Sequence, residues 1–279
     1  MGDSPLPAAI KRLGQNFLID PNIVRKIVTL AELSRNDSVL EIGPGRGILT
    51  DALCQSAGRV TAIEIDPRLH AYLTERHTQF PNLTLVLGDA MTYPIEQLPP
   101  GTIAISNLPY YLSTPLLFRL LEQQQRITRL VLMLQNEVAD RLVAQSGSSD
   151  YGVLSVMAQY SADITKAFKV SPQCFRPRPN VDSAVVLLRT KSRIEQMRER
   201  RDQFATLVRA AFAHRRKTLV NSLRDQGYDQ HQVIAALTAL HLSLSVRAEN
   251  LSLDEFIALT HQIHGLSHSS RLQQLDQLS

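Results

Sequence analysis

The chain has 279 residues, 44% hydrophobic and 20% charged, proportions that exclude wholesale disorder or a fibrous repeat. Thirty Lys+Arg against 26 Asp+Glu leave a net charge of +4. No apolar run approaches the roughly 18–20 residues of a membrane span, residues 1–10 lack the basic and apolar regions of a signal peptide, and two cysteines make no disulfide framework, so a reduced cytoplasmic protein is expected.

In chain order, Val39–Ile42 is a short apolar run that stops at Gly43-Pro44-Gly45-Arg46-Gly47, and a helical pattern follows (Ile48, Leu49, Ala52, Leu53). Further strands are predicted at Val60–Ile65, Leu83–Leu87, Thr102–Ser106 and Arg129–Leu134, with helical patterns such as Leu69–Thr78 and Pro115–Leu121 between them. Strands alternating with helices predict βαβ units and a mostly parallel sheet. Ile164–Val170 and Ala184–Leu188 lack a long helix between them, which suits an antiparallel pair at the sheet edge. After Arg189 only helical spacing remains, at Phe204–Phe212, Leu219–Leu223, Val233–Leu240 and Leu253–Ile263. The expected organisation is an α/β domain over 1–190 and a small all-α domain over 191–279, with a frayed polar end from Gly265.

The positive charge is concentrated: Arg189–Arg224 holds eleven basic residues against three acidic ones. A focused positive field suits a polyanion, with Arg215, Arg216 and Lys217 as the candidate contacts, although a solvated helix face produces the same composition.

The glycine segment lies between a strand and a helix. Glycines there allow a tight turn and a close ligand approach, beside a helix N-terminus carrying partial positive charge. Glu64 ends the next strand, 21 residues after Gly43, where an acid can accept hydrogen bonds from a ribose diol. Asp89 follows the third strand, where a carboxylate can accept from an adenine amine. The third glycine comes one residue earlier than in the dinucleotide fingerprint, and no phosphate-binding Gly-Lys-Ser/Thr is present. A cofactor with adenine and ribose but no phosphate, S-adenosylmethionine, fits better than a dinucleotide, which the glycine segment alone leaves open.

Asn107-Leu108-Pro109-Tyr110 follows the fourth strand, 64 residues past Gly43. An exocyclic amine on a base is a poor nucleophile because its lone pair is delocalised into the ring. Two acceptors on its hydrogens, the Asn107 side-chain oxygen and the Leu108 carbonyl, favour a tetrahedral nitrogen aimed at a sulfonium methyl. Tyr110 offers a stacking face worth about 1–3 kcal/mol per base, for which the ring suffices. Orientation then supplies most of the catalysis.

With these residues in place, the chain resembles the bacterial small-subunit ribosomal RNA adenine dimethyltransferases, the KsgA family, over nearly its whole length. Leu13–Leu18 is similar to the family's cofactor-lid segment, in which Asn16 and Leu18 match cofactor contacts. Gly43, Glu64, Asp89 and Asn107 match other contacts, and Gly45 falls in the same loop. Gln135–Arg141 and Tyr151–Ser155 resemble segments after the fifth strand. Phe175–Ser183 is similar to the second active-site loop, whose aromatic, here Phe175, would cover the other face of the target adenine. Arg215–Leu223 resembles the family's signature in the helical domain. The resemblance implies a Rossmann-like class I methyltransferase fold with a seven-stranded sheet, and transfer of two methyl groups to N6 of each of two adjacent adenosines near the 3′ end of small-subunit RNA, late in subunit assembly.

The implied partner is that RNA or the immature small subunit, with no membrane, no protein partner and a monomeric chain. A large-subunit adenine dimethyltransferase and a non-catalytic assembly factor on the same scaffold are the alternatives. Leu108 and the Arg215–Leu223 string lean away from the first, and the retained Glu64, Asp89, Asn107 and Tyr110 from the second. His261, His264 and His268 lack a compact fourth ligand, so no metal site is read. Tyr93, Tyr111, Phe204 and Phe212 read as core or half-buried surface.

Overall fold

The computed structural model describes residues 7–10, 13–191, 198–214 and 216–276, with side chains described except at 198–200 and 266–276. Arg215 therefore lies outside the described residues. The chain divides into two compact units, Met1–Asp140 with Ser161–Ser192, and Arg141–Tyr160 with Arg193–Ser279.

The first unit is built on a seven-stranded sheet. Its strands are β2 (Ser38–Ile42), β3 (Arg59–Glu64), β4 (Leu83–Leu87), β5 (Thr102–Asn107), β6 (Ile127–Gln135), β7 (Ala162–Val170) and β9 (Ser183–Thr190), in the order β4-β3-β2-β5-β6-β9-β7. Strands β2 to β6 pair in parallel, and β9 runs antiparallel to both β6 and β7. The expected antiparallel pair thus closes the edge. The inner parallel strands β2, β3, β5 and β6 are largely buried, with Leu40, Val60, Ala104, Ile105 and Leu132 almost fully out of water, as a sheet covered on both faces requires, whereas the edge strand β4 is part-exposed.

Helices α1 (Pro21–Ala31), α2 (Ile48–Ser56), α3 (Pro67–Arg76) and α4 (Ser113–Leu121) connect the strands. Helices α1 and α3 start alike: Asp20 and Asp66 cap them by accepting from Asn22 and Arg68 backbone N–H groups, and a proline takes the first turn. A separate two-stranded sheet pairs β1 (Phe17–Leu18) with β8 (Phe175–Arg176), joining the lid-like segment to the second loop across more than half of the sequence.

The second unit contains α6 (Val153–Ser161), α7 (Arg198–Ala211), α8 (Leu219–Asp225), α9 (Gln230–Ala239) and α10 (Leu253–Asp276), while α5 (Asn136–Val143) spans the division. Residues 141–160 join it, rather than the 1–190 domain expected from sequence, because their aromatics pack on its helices. Tyr160 stacks on Phe204 at 4.2 Å between centroids, and Tyr151 meets Phe212 edge-on at 6.1 Å. Helix α10 continues to Asp276, beyond the expected stop at Gly265, since one glycine costs a helix only about 1 kcal/mol. Among the described residues no helix is long and apolar enough to cross a membrane.

Candidate active site

The carboxyl ends of β2, β3, β4 and β5 open into one cleft, about 1000 Å³ counted out to its mouth. Asn16, Leu18, Gly43, Gly45, Glu64, Asp89, Asn107, Leu108 and Tyr110 all line it. Residues spread over almost a hundred positions of sequence therefore converge, as they do where ligands bind open α/β sheets.

The glycine turn is locked to the neighbouring strand: Gly43 donates its backbone N–H to Ile63 O at 2.9 Å. Gly45, at φ +59°, donates its N–H to Glu64 Oε2 at 3.2 Å, and a Cβ there would lie 3.0 Å from the Phe17 ring. Gly47, at φ +86°, opens α2, and a Cβ would come within 2.7–2.8 Å of His77 and Leu73. Close packing of α2 against the end of α3 accounts for the early third glycine.

Glu64 is nearly fully buried, and its Oε1 accepts from Asp66 N at 2.9 Å. Burial pushes its carboxyl above the ordinary range, opposed by these backbone donors. A carboxylate offers about four acceptor positions, so two remain for a diol. Asp89 is exposed, and its Oδ1 accepts from Met91 N at 2.8 Å, so it caps a turn while facing the cleft.

Sequence reasoning passed over Glu41. It lies on β2, is 1% exposed, lines the cleft, and its Oε2 has no hydrogen-bond partner. Burial drives its carboxyl up to about 8, with the Glu64 and Asp51 charges adding to the effect. An acid inside an apolar strand at the edge of a glycine turn was its only sequence signal. Tyr111, read as core or half-buried surface, is 53% exposed and also lines the cleft, with its ring against Gly14.

Asn107 ends β5, and its side-chain Nδ2 donates to the Asn16 backbone oxygen at 3.2 Å. A carbonyl can only accept, so the amide orientation is fixed and Oδ1 is turned away from that bond. The Leu108 side chain is buried, and its N–H donates to Met133 O at 3.2 Å. Tyr110 begins a single 3-10 turn over Tyr110–Leu112 and lines the cleft. Its hydroxyl is 2.7 Å from Ser183 Oγ, so the hydroxyl is engaged, which a reading from the ring alone did not anticipate. Burial pushes its pKa above the ordinary phenol value and keeps the hydroxyl protonated.

Phe175 does not behave as expected. Its side chain is fully buried in the core cluster with Leu18, Ile23, Ile27 and Val185, and it presents no face to the cleft. Burying such a ring contributes about 1.5–3 kcal/mol, and the β1–β8 pairing holds it there. In the second unit, Arg216 and Lys217 are both exposed, and Lys217 Nζ pairs with Asp225 Oδ2 at 2.5 Å.

A mostly parallel sheet with one reversed strand, carrying a glycine turn, a buried acid and an Asn-Leu-Pro-Tyr corner at one end, defines a class I methyltransferase. Two solved structures share the fold. A dimethyladenosine transferase from Plasmodium falciparum is 28% identical with a TM-score of 0.72, covering 87% of this chain and 95% of that one. The 23S rRNA methyltransferase ErmE is 28% identical with a TM-score of 0.70, covering 89% and 100%. The chain belongs to the ribosomal RNA adenine dimethylase family, whose sequence profile matches residues 8–264. The ribosomal RNA small subunit methyltransferase A of Moorella thermoacetica is 42% identical over 264 residues, 91% of this chain and 92% of that protein. Its counterpart in Chlamydia caviae is 43% identical over 258 residues, 90% of each.

Proposed function

We propose that the chain transfers methyl groups from S-adenosylmethionine to N6 of adenosines in ribosomal RNA. The target is two adjacent adenosines in a hairpin loop near the 3′ end of the small-subunit RNA, each taking two methyl groups, on an immature subunit in the cytoplasm. Family membership and the names of the small-subunit relatives support the substrate class. The observation that carries the chemistry is Asn107 at the cleft, with its amide nitrogen committed to Asn16 O and its oxygen turned away.

The residues present suit S-adenosylmethionine. Glu64 is a buried acceptor with capacity for a ribose diol, Asp89 an acceptor for an adenine amine, and Gly43 and Gly45 a floor without side chains. When bound, that cofactor supplies an electrophilic methyl on a sulfonium. Asn107 Oδ1 and the Leu108 carbonyl accept the two hydrogens of the target amine and direct its lone pair across the cleft. Tyr110 supports the base by stacking. Because the positive charge arrives with the cofactor, no strong general base is needed. Arg216 and Lys217, with Arg215, hold RNA phosphates, and the chain acts as a monomer.

The test is incubation with labelled S-adenosylmethionine and undermethylated small subunits, followed by mapping of the product. Label on two adjacent adenosines near the 3′ end supports the proposal. Label on large-subunit RNA alone would make the chain functionally closer to ErmE, and no transfer to either RNA would leave a non-catalytic assembly role.

A further inference from the structure

We infer that Ser183 is a positioning residue that sets the plane of the Tyr110 ring, a role that rests on the methyl-transfer reading above. Ser183 is fully buried at the start of β9. Its backbone stands opposite Gln135 of β6 on one side and Val170 of β7 on the other, so two ladders fix its position. Its Oγ lies 2.7 Å from Tyr110 Oη. At the other end of Tyr110, the Oγ of buried Ser113 donates to the Tyr110 backbone oxygen at 2.9 Å.

Tyr110 is thus held at its carbonyl and at its hydroxyl, and the residue lines the cleft. A tyrosine side chain has two torsions, and with the hydroxyl untethered the second is broad. A stacking surface free to turn must be ordered each time a base arrives, whereas a tethered one meets the base in the reacting orientation. The tether also explains why a hydroxyl is useful on a residue whose ring alone contacts a base. Ser183 itself touches neither base nor cofactor and acts only through Tyr110.

A double-mutant cycle tests this on the full-length chain with undermethylated small subunits. Ser183→Ala and Tyr110→Phe each remove one partner and should each lower kcat by about three- to tenfold, the range of a lost neutral hydrogen bond. KM for the subunits and the calorimetric affinity for S-adenosylhomocysteine should stay at wild-type values. In the Tyr110→Phe background, Ser183→Ala should produce no further fall in kcat, because the tether is already gone. A purely structural bond would lower the melting temperature and leave kcat unchanged well below it, which overturns the inference. So would multiplicative losses in the double variant, or a rise in KM with constant kcat. If Ser183→Ala does not fold, Tyr110→Phe, which leaves the strand intact, decides by itself: wild-type kcat refutes the role. A wild-type chain that transfers no methyl group to RNA refutes the functional reading, and this inference with it.

Discussion

Replacing Glu64 by alanine tests the cofactor assignment at the residue the cleft depends on most. The carboxylate already accepts from Gly45 N at 3.2 Å and Asp66 N at 2.9 Å, so the substitution has two separable effects. The first falls on the protein: two backbone N–H groups lose their partner, at about 1–3 kcal/mol each if they stay dry, offset in part by removal of a buried charge. The second falls on the ligand: the charge-assisted bonds to the diol disappear, worth on the order of 1.5–3 kcal/mol. That corresponds to roughly 10- to 150-fold in Kd. Calorimetric titration with S-adenosylhomocysteine measures the second, and thermal melting without ligand measures the first. Glu64→Gln separates them further, because it keeps the shape and one acceptor while losing the charge, and its affinity should fall between those of the wild type and Glu64→Ala. Wild-type affinity in a folded Glu64→Ala chain would refute the assignment.

Three further outcomes are expected. The Glu41 carboxyl titrates at about 8 in the folded chain against an ordinary value of 4.5, so the folded state keeps a proton the unfolded state loses, and stability falls as pH rises through that window. Glu41→Gln should therefore raise the melting temperature at pH 7–8, with as much as about 3 kcal/mol released at pH 7, and make no difference near pH 4, as melts across that range will show. Tyr110→Ala should weaken methyl transfer by roughly 5- to 150-fold, the loss of one stacked base at about 1–3 kcal/mol, while calorimetry finds most of the cofactor affinity intact. Replacing Arg216 and Lys217 by Gln should flatten the slope of log affinity against log salt by about 0.7–0.9 for each phosphate no longer neutralised, with the smaller loss at Lys217, which is already paired with Asp225; a wild-type slope would remove these residues from the RNA surface.

The inner strands of the sheet were legible because parallel strands buried on both faces read as largely apolar runs, and the part-exposed edge strand β4 kept enough Leu and Val to read as a strand too. Val39–Ile42, Leu83–Leu87 and Arg129–Leu134 emerged as strands at those positions or within a few residues of them. The convergence of Gly43, Glu64, Asp89 and Asn107 was legible for a related reason: each follows or ends a parallel strand, and parallel strands deliver their carboxyl ends to one side of a sheet.

What sequence did not determine depended on pairs far apart in the chain. The β1–β8 pairing joins residues 17–18 to 175–176, and it is what draws Phe175 into the core, where its motif alone suggested a ring facing a base. The tether between Tyr110 and Ser183 spans 73 positions and depends on β9 inserting between β6 and β7. Residues 141–160 carry too little local pattern to announce their unit, which is decided by Tyr151 and Tyr160 meeting Phe212 and Phe204. Local sequence sets which backbone conformation each segment prefers. Which side chain is buried, and which polar atom keeps a spare lone pair, is decided by neighbours that only the folded chain brings within reach.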